Sequence, residues 1–220
     1  MPTSLVTGAN RGIGLELVRQ LGARGHAVLA VCRHSSPELD ALGARVEAGI
    51  DVADPAAGEA LARRTAGDTL DLVVANAGVL RRESLDAMDF ASIEHQFRVN
   101  ALGALRTVHA VLPRLAPGAK IALITSRMGS IGDNGSGGAY GYRMSKAALN
   151  AAGVSLARDL RPRGIAVAIL HPGMVRTEMI GGTHGVEPRD AVDGLLARID
   201  ALTLERSGTF WHANGEVLPW

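Results

Sequence analysis

Ser4-Leu-Val-Thr7, then Gly8-Ala-Asn-Arg-Gly-Ile-Gly14, then Leu15 to Arg24 is the stretch that decides how this chain is read. Ser4–Thr7 predicts a short apolar strand, and the periodic pattern from Leu15 to Arg24 predicts a helix. Three glycines stand between them. Gly8 permits a tight turn, Gly12 lets backbone approach a ligand, and Gly14 lets helix and strand pack closely. The first turn of a helix carries unpaired N–H groups and a partial positive charge, so such a turn suits a dinucleotide pyrophosphate. Strand, glycine turn and helix in that order predict a dinucleotide-binding unit.

The same alternation runs outward through the chain. Further strands are predicted at Ala27–Cys32, Val46–Ile50, Leu70–Ala75, Lys120–Thr125, Ile165–Leu170 and Thr209–His212. Helices are predicted at Pro37–Ala44, from an Asp54 cap with Pro55 at the first helical position to about Thr65, at Phe90–Leu115, from Tyr142 to Leu160, and from Pro188 to near Leu204. Strands alternating with helices make a parallel sheet covered on both faces. The expectation is an α/β chain: one Rossmann-type doubly wound sheet of about seven strands. It forms a single domain over residues 1–220, with right-handed crossovers. Ligands then belong at the carboxyl ends of the strands.

Composition narrows the function. With 220 residues and 47% hydrophobic content, the chain can bury a sizeable core, roughly 70% of its unfolded surface. A net charge of +1 and 3% aromatic residues argue against nucleic acid or an anionic membrane as partner. The single cysteine, Cys32, precludes an internal disulfide and fits a reducing compartment. No secretory signal and no apolar run of membrane-spanning length is visible, so a cytoplasmic location is expected. The seven histidines show no metal-ligand spacing, and no metal is expected.

The polar residues at the predicted strand ends supply the chemistry. Arg33 follows the second strand, where an acidic residue would take the ribose 2′-hydroxyl of NAD and a cation accommodates the 2′-phosphate of NADP. Arg11 in the glycine turn is a second guanidinium able to grip a phosphate. Asn76-Ala77-Gly78 ends the fourth strand with small residues against which a flat ring can lie. Asn100 sits among Val99, Ala101 and Leu102; if buried it needs a partner, either in helix packing or at a kink or water site on a proton path. Ser126 ends the fifth strand. Tyr142 and Lys146 are four apart on a predicted helix and therefore share a face. An ammonium at ~5 Å with an effective dielectric of ~20 favours a phenolate by ~3 kcal/mol. That is roughly two pKa units, enough to bring the phenol near working pH. Tyr140 has Met144 at i+4 and lacks such a partner. His171, before Pro172, reads as a strand-end residue near the cofactor.

Taken together, Thr7-Gly-Ala-Asn-Arg-Gly-Ile-Gly14, Asn76-Ala-Gly78, Asn100, Ser126, Tyr142-x-x-x-Lys146 and Pro172-Gly-Met-Val-Arg-Thr177 resemble the short-chain dehydrogenase/reductase family. Ile124 to Asn134, Tyr142 to Asn150 and Leu218-Pro-Trp220 are similar to its C-factor and sniffer-like branch, related to carbonyl reductases. The resemblance implies hydride transfer between NADPH and a small-molecule carbonyl. Tyr142 would be general acid and base, Lys146 would tune it and hold the nicotinamide ribose, and Ser126 would polarise the carbonyl. Asn100 would hold a water linking Lys146 to solvent. The implied cofactor set is Gly8, Asn10, Arg11, Gly12, Ile13, Gly14, Arg33, Asp51, Val52, Asn76, Ala77, Gly78, Tyr142, Lys146, Pro172, Gly173, Val175 and Thr177. Of these, Asp51 would meet the adenine edge, and Val175 and Thr177 the carboxamide.

The chain departs from the family pattern in three places. Ala75 stands where the family often has a first Asn. Ser126 lies sixteen residues before Tyr142, making Ser130 its rival. The substrate loop near 178–187 is short, so an open, tolerant pocket is expected, with Leu80, Met128, Met174, Met179 and Ile180 lending it apolar character. The branch also implies an alternative: a signalling protein that binds NADP(H) without turnover as its main role. Homo-oligomers, dimer or tetramer, are a further implication, with Ala147, Ala148, Ala151 and Ala152 small enough for close helix packing.

Overall fold

The computed structural model describes residues 1–182 and 184–220. Seven strands form one sheet: β1 (Thr3–Thr7), β2 (Ala27–Val31), β3 (Arg45–Glu47), β4 (Leu70–Ala75), β5 (Leu115–Ile124), β6 (Ala166–His171) and β7 (Phe210–His212). Their order is β3-β2-β1-β4-β5-β6-β7, and every neighbouring pair is parallel. The chain walks from β1 outward to β3, then returns to place β4 on the other side of β1. The crevice at that reversal, outside the carboxyl ends of β1 and β4, is where such sheets bind ligands.

Parallel neighbours need crossovers, and helices supply most of them: α1 (Gly12–Ala23), α2 (Pro37–Asp40), α3 (Ala57–Arg64), α4 (Phe90–Phe97), α5 (Ala104–Val111), α6 (Tyr140–Leu160) and α7 (Pro188–Asp200). Successive side chains on a strand point to opposite faces, so a strand covered on both sides must be apolar throughout. Val6, Val74, Ala122, Ile124 and Leu170 pack on one face with Leu17 and Leu21 of α1 and Leu195 and Leu196 of α7. Residues of opposite parity on the same strands, Leu5, Val73, Ile121, Leu123 and Val167, pack on the other face with Leu61, Val108, Leu149 and Leu160. Each such side chain contributes about 1.5–3 kcal/mol. The two-sided burial makes the strand ends rigid mounts for the polar residues that follow them.

The structure departs from the sequence reading at several boundaries. The long helix expected over Phe90–Leu115 is broken into α4, a π-helical turn at Arg98–Gly103, α5 and a 3₁₀ turn at Leu112–Arg114. Strand β5 begins earlier than Lys120: Leu115 pairs with Leu70 but Lys120 pairs with Leu72, so the intervening Pro117 and Gly118 form an irregularity. Pro117 has no N–H to donate there, and Gly118 takes φ 78°. Asp54 does not cap α3. Its carboxylate accepts from Ala56 N at 2.8 Å, closing a turn, and the helix starts at Ala57. Helix α6 begins at Tyr140, two residues before the expected start, and α7 ends at Asp200 rather than near Leu204. Helix α2 and β3 are shorter than expected, at four and three residues.

Candidate active site

The β1–α1 turn is built for close approach. A Cβ on Gly14 would lie 2.0 Å from the Gly8 carbonyl oxygen, so any side chain there would push the helix off the turn. The turn is braced on both sides. Ser36 Oγ donates to the Asn10 carbonyl at 2.9 Å, and Asn76 Nδ2 donates to the Thr7 carbonyl at 3.0 Å. Thr7 Oγ1 in turn accepts from the backbone N–H groups of Asn76 and Ala77, both at 3.1 Å. The Asn76 side chain therefore joins the end of β4 to the end of β1. Across the crevice, Thr177 faces the turn closely enough that a Cβ on Gly12 would stand 3.2 Å from its methyl group.

Arg33 and Asp51 follow β2 and β3 and form a loose, half-exposed ion pair at 3.9 Å. Asp51 also accepts from Ala53 N at 3.0 Å, while Val52 is buried beneath. Arg11 is exposed and pairs with Glu178 at 2.5 Å, so it spans from the glycine turn to the segment after β6. In that segment Gly173 sits against the His212 ring, and Val175 is buried and bridges to Val186. Most of the substrate-loop residues expected near 178–187 are described, with a 3₁₀ turn at Glu178–Ile180; Thr183 lies outside the described residues.

Helix α6 carries Tyr142 and Lys146, the two side chains expected to react. Tyr142 and Lys146 are both buried, and the Lys146 Nζ lies 5.8 Å from the centre of the Tyr142 ring. Ser126 is buried with them, and its hydroxyl is near enough to the Tyr142 phenol to act on its pKa. Ser126 Oγ also accepts from Met128 N at 3.1 Å, which leaves its own hydrogen to donate. Ser130, the rival on spacing, is buried and accepts from Asp133 N at 3.0 Å instead, which holds the loop. Lys146 Nζ donates to the Ile124 carbonyl at 2.9 Å.

The electrostatics correct one expectation. Burial pushes the Tyr142 phenol above its ordinary value, and the nearby Ser126 hydroxyl pulls it back only in part. The predicted lowering by Lys146 is not what dominates, because the phenol is desolvated and the ammonium is bonded to the β5 backbone. Burial also pushes Lys146 down to about 8. The pair is thus a neutral phenol beside a cation held close to its titration point.

Asn100 is both a packing residue and part of a helix irregularity. It lies in the π turn, fully buried, and its amide makes three bonds: Oδ1 accepts from Val79 N at 2.8 Å, and Nδ2 donates to the Val79 carbonyl and to Ser145 Oγ, both at 2.9 Å. Ser145 passes the link on by donating to the Tyr142 carbonyl at 2.8 Å. The sequence reading missed Ser145. The signal available was a small polar residue one position before Lys146 on the face turned toward Asn100, which periodicity alone does not mark. His171 closes β6 edge-on to His212, with ring centres 4.9 Å apart. Burial, then the neighbouring His212, hold it down to about 3, so at neutral pH it is an uncharged imidazole. Among the described residues no group of three or more His, Cys, Asp or Glu is placed to hold a metal ion, and no helix is long and apolar enough to cross a membrane.

A glycine cradle at a helix N-terminus, a crevice floored by Asn76-Ala77-Gly78, and a buried Ser–Tyr–Lys set beside it fit an NAD(P)-type cofactor. The chain belongs to the short chain dehydrogenase family, whose pattern it matches over residues 2–184. It is an oxidoreductase of that family. Among known proteins it is similar to the 1-hydroxy-2-glutathionyl-2-methyl-3-butene dehydrogenase of Rhodococcus sp. (strain AD45), 45% identical over 226 residues and covering 100% of both chains. It is 46% identical over 154 residues to the C-signal of Myxococcus xanthus, covering 69% of this chain and 93% of that one. Its fold is similar to the NADPH-bound carbonyl reductase from chicken fatty liver, with a TM-score of 0.90, 31% identity and coverage of 100% and 99% of the two chains.

Proposed function

We propose that the protein is an NADPH-dependent reductase of small ketones or aldehydes, with Tyr142 as the group that protonates the carbonyl oxygen. The observation that carries this reading is that Ser126, Tyr142 and Lys146 are buried together, with the Lys146 ammonium 5.8 Å from the Tyr142 ring centre. When bound, the nicotinamide supplies hydride to the carbonyl carbon. The substrate oxygen then sits between two hydroxyls: Ser126 donates a hydrogen bond to it, and Tyr142 gives up its proton. A phenol raised by burial is a poor anion at rest, and the adjacent ammonium stabilises the charge that develops on its oxygen as the proton leaves. In the reverse direction the same phenolate accepts the proton of an alcohol.

The proton is replaced through Lys146 and Asn100. A Cβ on Gly78 would stand 3.2 Å from Asn100 Oδ1 and 3.6 Å from Lys146 Nζ, so the absence of a side chain at residue 78 keeps open the space between them. Asn100 Oδ1 retains a lone pair for a water in that space. The cofactor is held by the glycine turn from Gly8 to Gly14, by Asp51 and Val52 at the adenine, by Asn76-Ala77-Gly78, and by Pro172, Gly173, Val175 and Thr177 at the carboxamide. Arg33 takes the 2′-phosphate, joined by Arg11 once it leaves Glu178, which favours NADPH over NADH.

Residues 1–220 form one cytoplasmic domain in which the described residues of 178–187 border the substrate. It associates through α6, where Met144 and Ala151 are exposed and Ala148 half-buried on one stripe. Similarity to the Rhodococcus dehydrogenase adds alcohols bearing a thioether to the candidate substrates. Similarity to the Myxococcus C-signal favours a second reading, a signalling role in which cofactor binding matters more than turnover. A panel of ketones, aldehydes and quinones followed by NADPH absorbance tests the first reading. Tyr142→Phe is expected to lower kcat by about 10²–10⁴-fold. Turnover by that variant at the wild-type rate would refute the assignment and favour the second reading.

A further inference from the structure

Helix α6 has an unusual start. Its N-cap residue is Ala139, which adopts a left-handed conformation (φ 48°) and has no side chain able to cap. Tyr142 is in the first turn of this helix, where fraying would displace the reacting hydroxyl. The missing cap comes from elsewhere. Glu83, only 5% exposed, accepts from Gly141 N with Oε2 at 3.1 Å, and its backbone carbonyl accepts from Ala139 N at 2.8 Å. A carboxylate at the positive end of a helix is favourable in itself.

Glu83 is aimed by α4. Its Oε1 accepts from Gln96 Nε2 at 2.6 Å and from Ser92 Oγ at 2.9 Å. Gln96 is fully buried, and its Oε1 accepts from Arg81 N at 2.9 Å. Its amide therefore has one orientation that serves both neighbours. A Cβ on Gly141 would meet Gln96 Nε2 at 2.6 Å, so α4 and α6 touch at this point without a spacer. Gln96 and Asn100 are one turn apart. Between them they grip residues 79–83 and tie that strap to α6 on either side of Tyr142: Asn100 at Ser145, Gln96 through Glu83 at Gly141.

We propose that Glu83 is a positioning residue for Tyr142: it caps α6 from another part of the chain, and the Ser92–Gln96 pair sets where that cap sits. The inference rests on Tyr142 as the proton donor. A displacement of about 1 Å at a reacting group reduces rate by about 10²-fold. Glu83→Ala is therefore expected to lower kcat by about that factor. NADPH binding, measured by fluorescence titration, should stay within about twofold, because the cofactor turn is untouched.

The decisive variant exchanges the pair. Glu83→Gln alone sets two amide N–H groups against each other and should lose about tenfold in kcat. In Glu83→Gln/Gln96→Glu every donor again has an acceptor once the Ser92 hydroxyl turns to the carboxylate at position 96, where the wild-type amide nitrogen lies 3.4 Å from the Ser92 oxygen. Gly141 N donates to the amide oxygen introduced at position 83. The N–H of that amide and Arg81 N both donate to the carboxylate introduced at position 96. The exchange should return kcat to within about threefold of wild type, a coupling that independent sites would not show. Amide hydrogen exchange in the first turn of α6 provides a readout free of turnover. It should quicken in Glu83→Ala and recover in the exchanged pair. Wild-type kcat and exchange rates in Glu83→Ala, or an exchanged pair no better than Glu83→Gln, would overturn the proposal. Tyr142→Phe separates the two ideas: a full rate in that variant refutes the proton donor, while a loss there with no effect at Glu83 refutes the positioning role alone.

Discussion

Replacing Lys146 with Met removes a buried charge and keeps most of the side-chain volume. Burial lowers the Lys146 ammonium from its ordinary 10.5 to about 8. As the pH rises through that interval the folded protein has released the proton and the unfolded chain still holds it. Stability must therefore increase with pH, by about 1.4 kcal/mol per unit. Summed over the interval, the charged lysine costs the fold about 3 kcal/mol at and below neutrality relative to strongly alkaline solution. The Met variant carries no such penalty but leaves the Ile124 carbonyl without its donor, which costs about 1–3 kcal/mol. Near pH 7 the two terms roughly cancel or leave the variant slightly more stable. The diagnostic quantity is the slope. Urea unfolding from about pH 7 to about pH 10 should show the stability of wild type rising by about 3 kcal/mol relative to the variant. Catalysis should fall by at least 10²-fold in the same variant, because the phenol loses its stabilising cation. Parallel stability curves for the two proteins would refute the claim that this ammonium is held in the interior at a cost, and with it the electrostatic account of the site.

Two further outcomes follow from the cofactor and proton paths. Arg33→Asp should weaken NADPH binding by at least tenfold and leave NADH within about threefold, since the new carboxylate repels a 2′-phosphate but accepts a 2′-hydroxyl; an unchanged ratio of the two dissociation constants would remove Arg33 from cofactor choice. Gly78→Ala puts a methyl between Asn100 and Lys146 and should lower kcat about tenfold or more without a matching loss of thermal stability; wild-type turnover in that variant would exclude this gap as the route of the proton.

Much of the site is legible in the sequence because its chemistry is local. Gly8 to Gly14 must turn between a strand and a helix whatever the rest of the chain does, and Lys146 follows Tyr142 by one helical turn on any α-helix. Ser126 is preferred to Ser130 because it follows a strand end, and in the structure both are buried, Ser130 accepting from Asp133 N. The boundaries fail where tertiary contacts override propensity. Asn100 allows for a kink within Arg98–Gly103, but nothing there specifies a π turn, since the stretch is compatible with an ordinary helix. The turn lies where Asn100 meets the backbone of Val79 and the side chain of Ser145, partners 21 and 45 positions away in the chain.

The order of strands and helices, the glycine turn and the Tyr142–Lys146 spacing were determined by the amino-acid sequence alone, because each depends on periodicity or on residues a few positions apart. The sign of the Tyr142 shift, the closure of Arg11 onto Glu178 and the capping of α6 by Glu83 were decided only by the tertiary structure. Desolvation depends on everything packed around a group, and a hydrogen bond between residues 58 positions apart exists only once the sheet has brought their elements together.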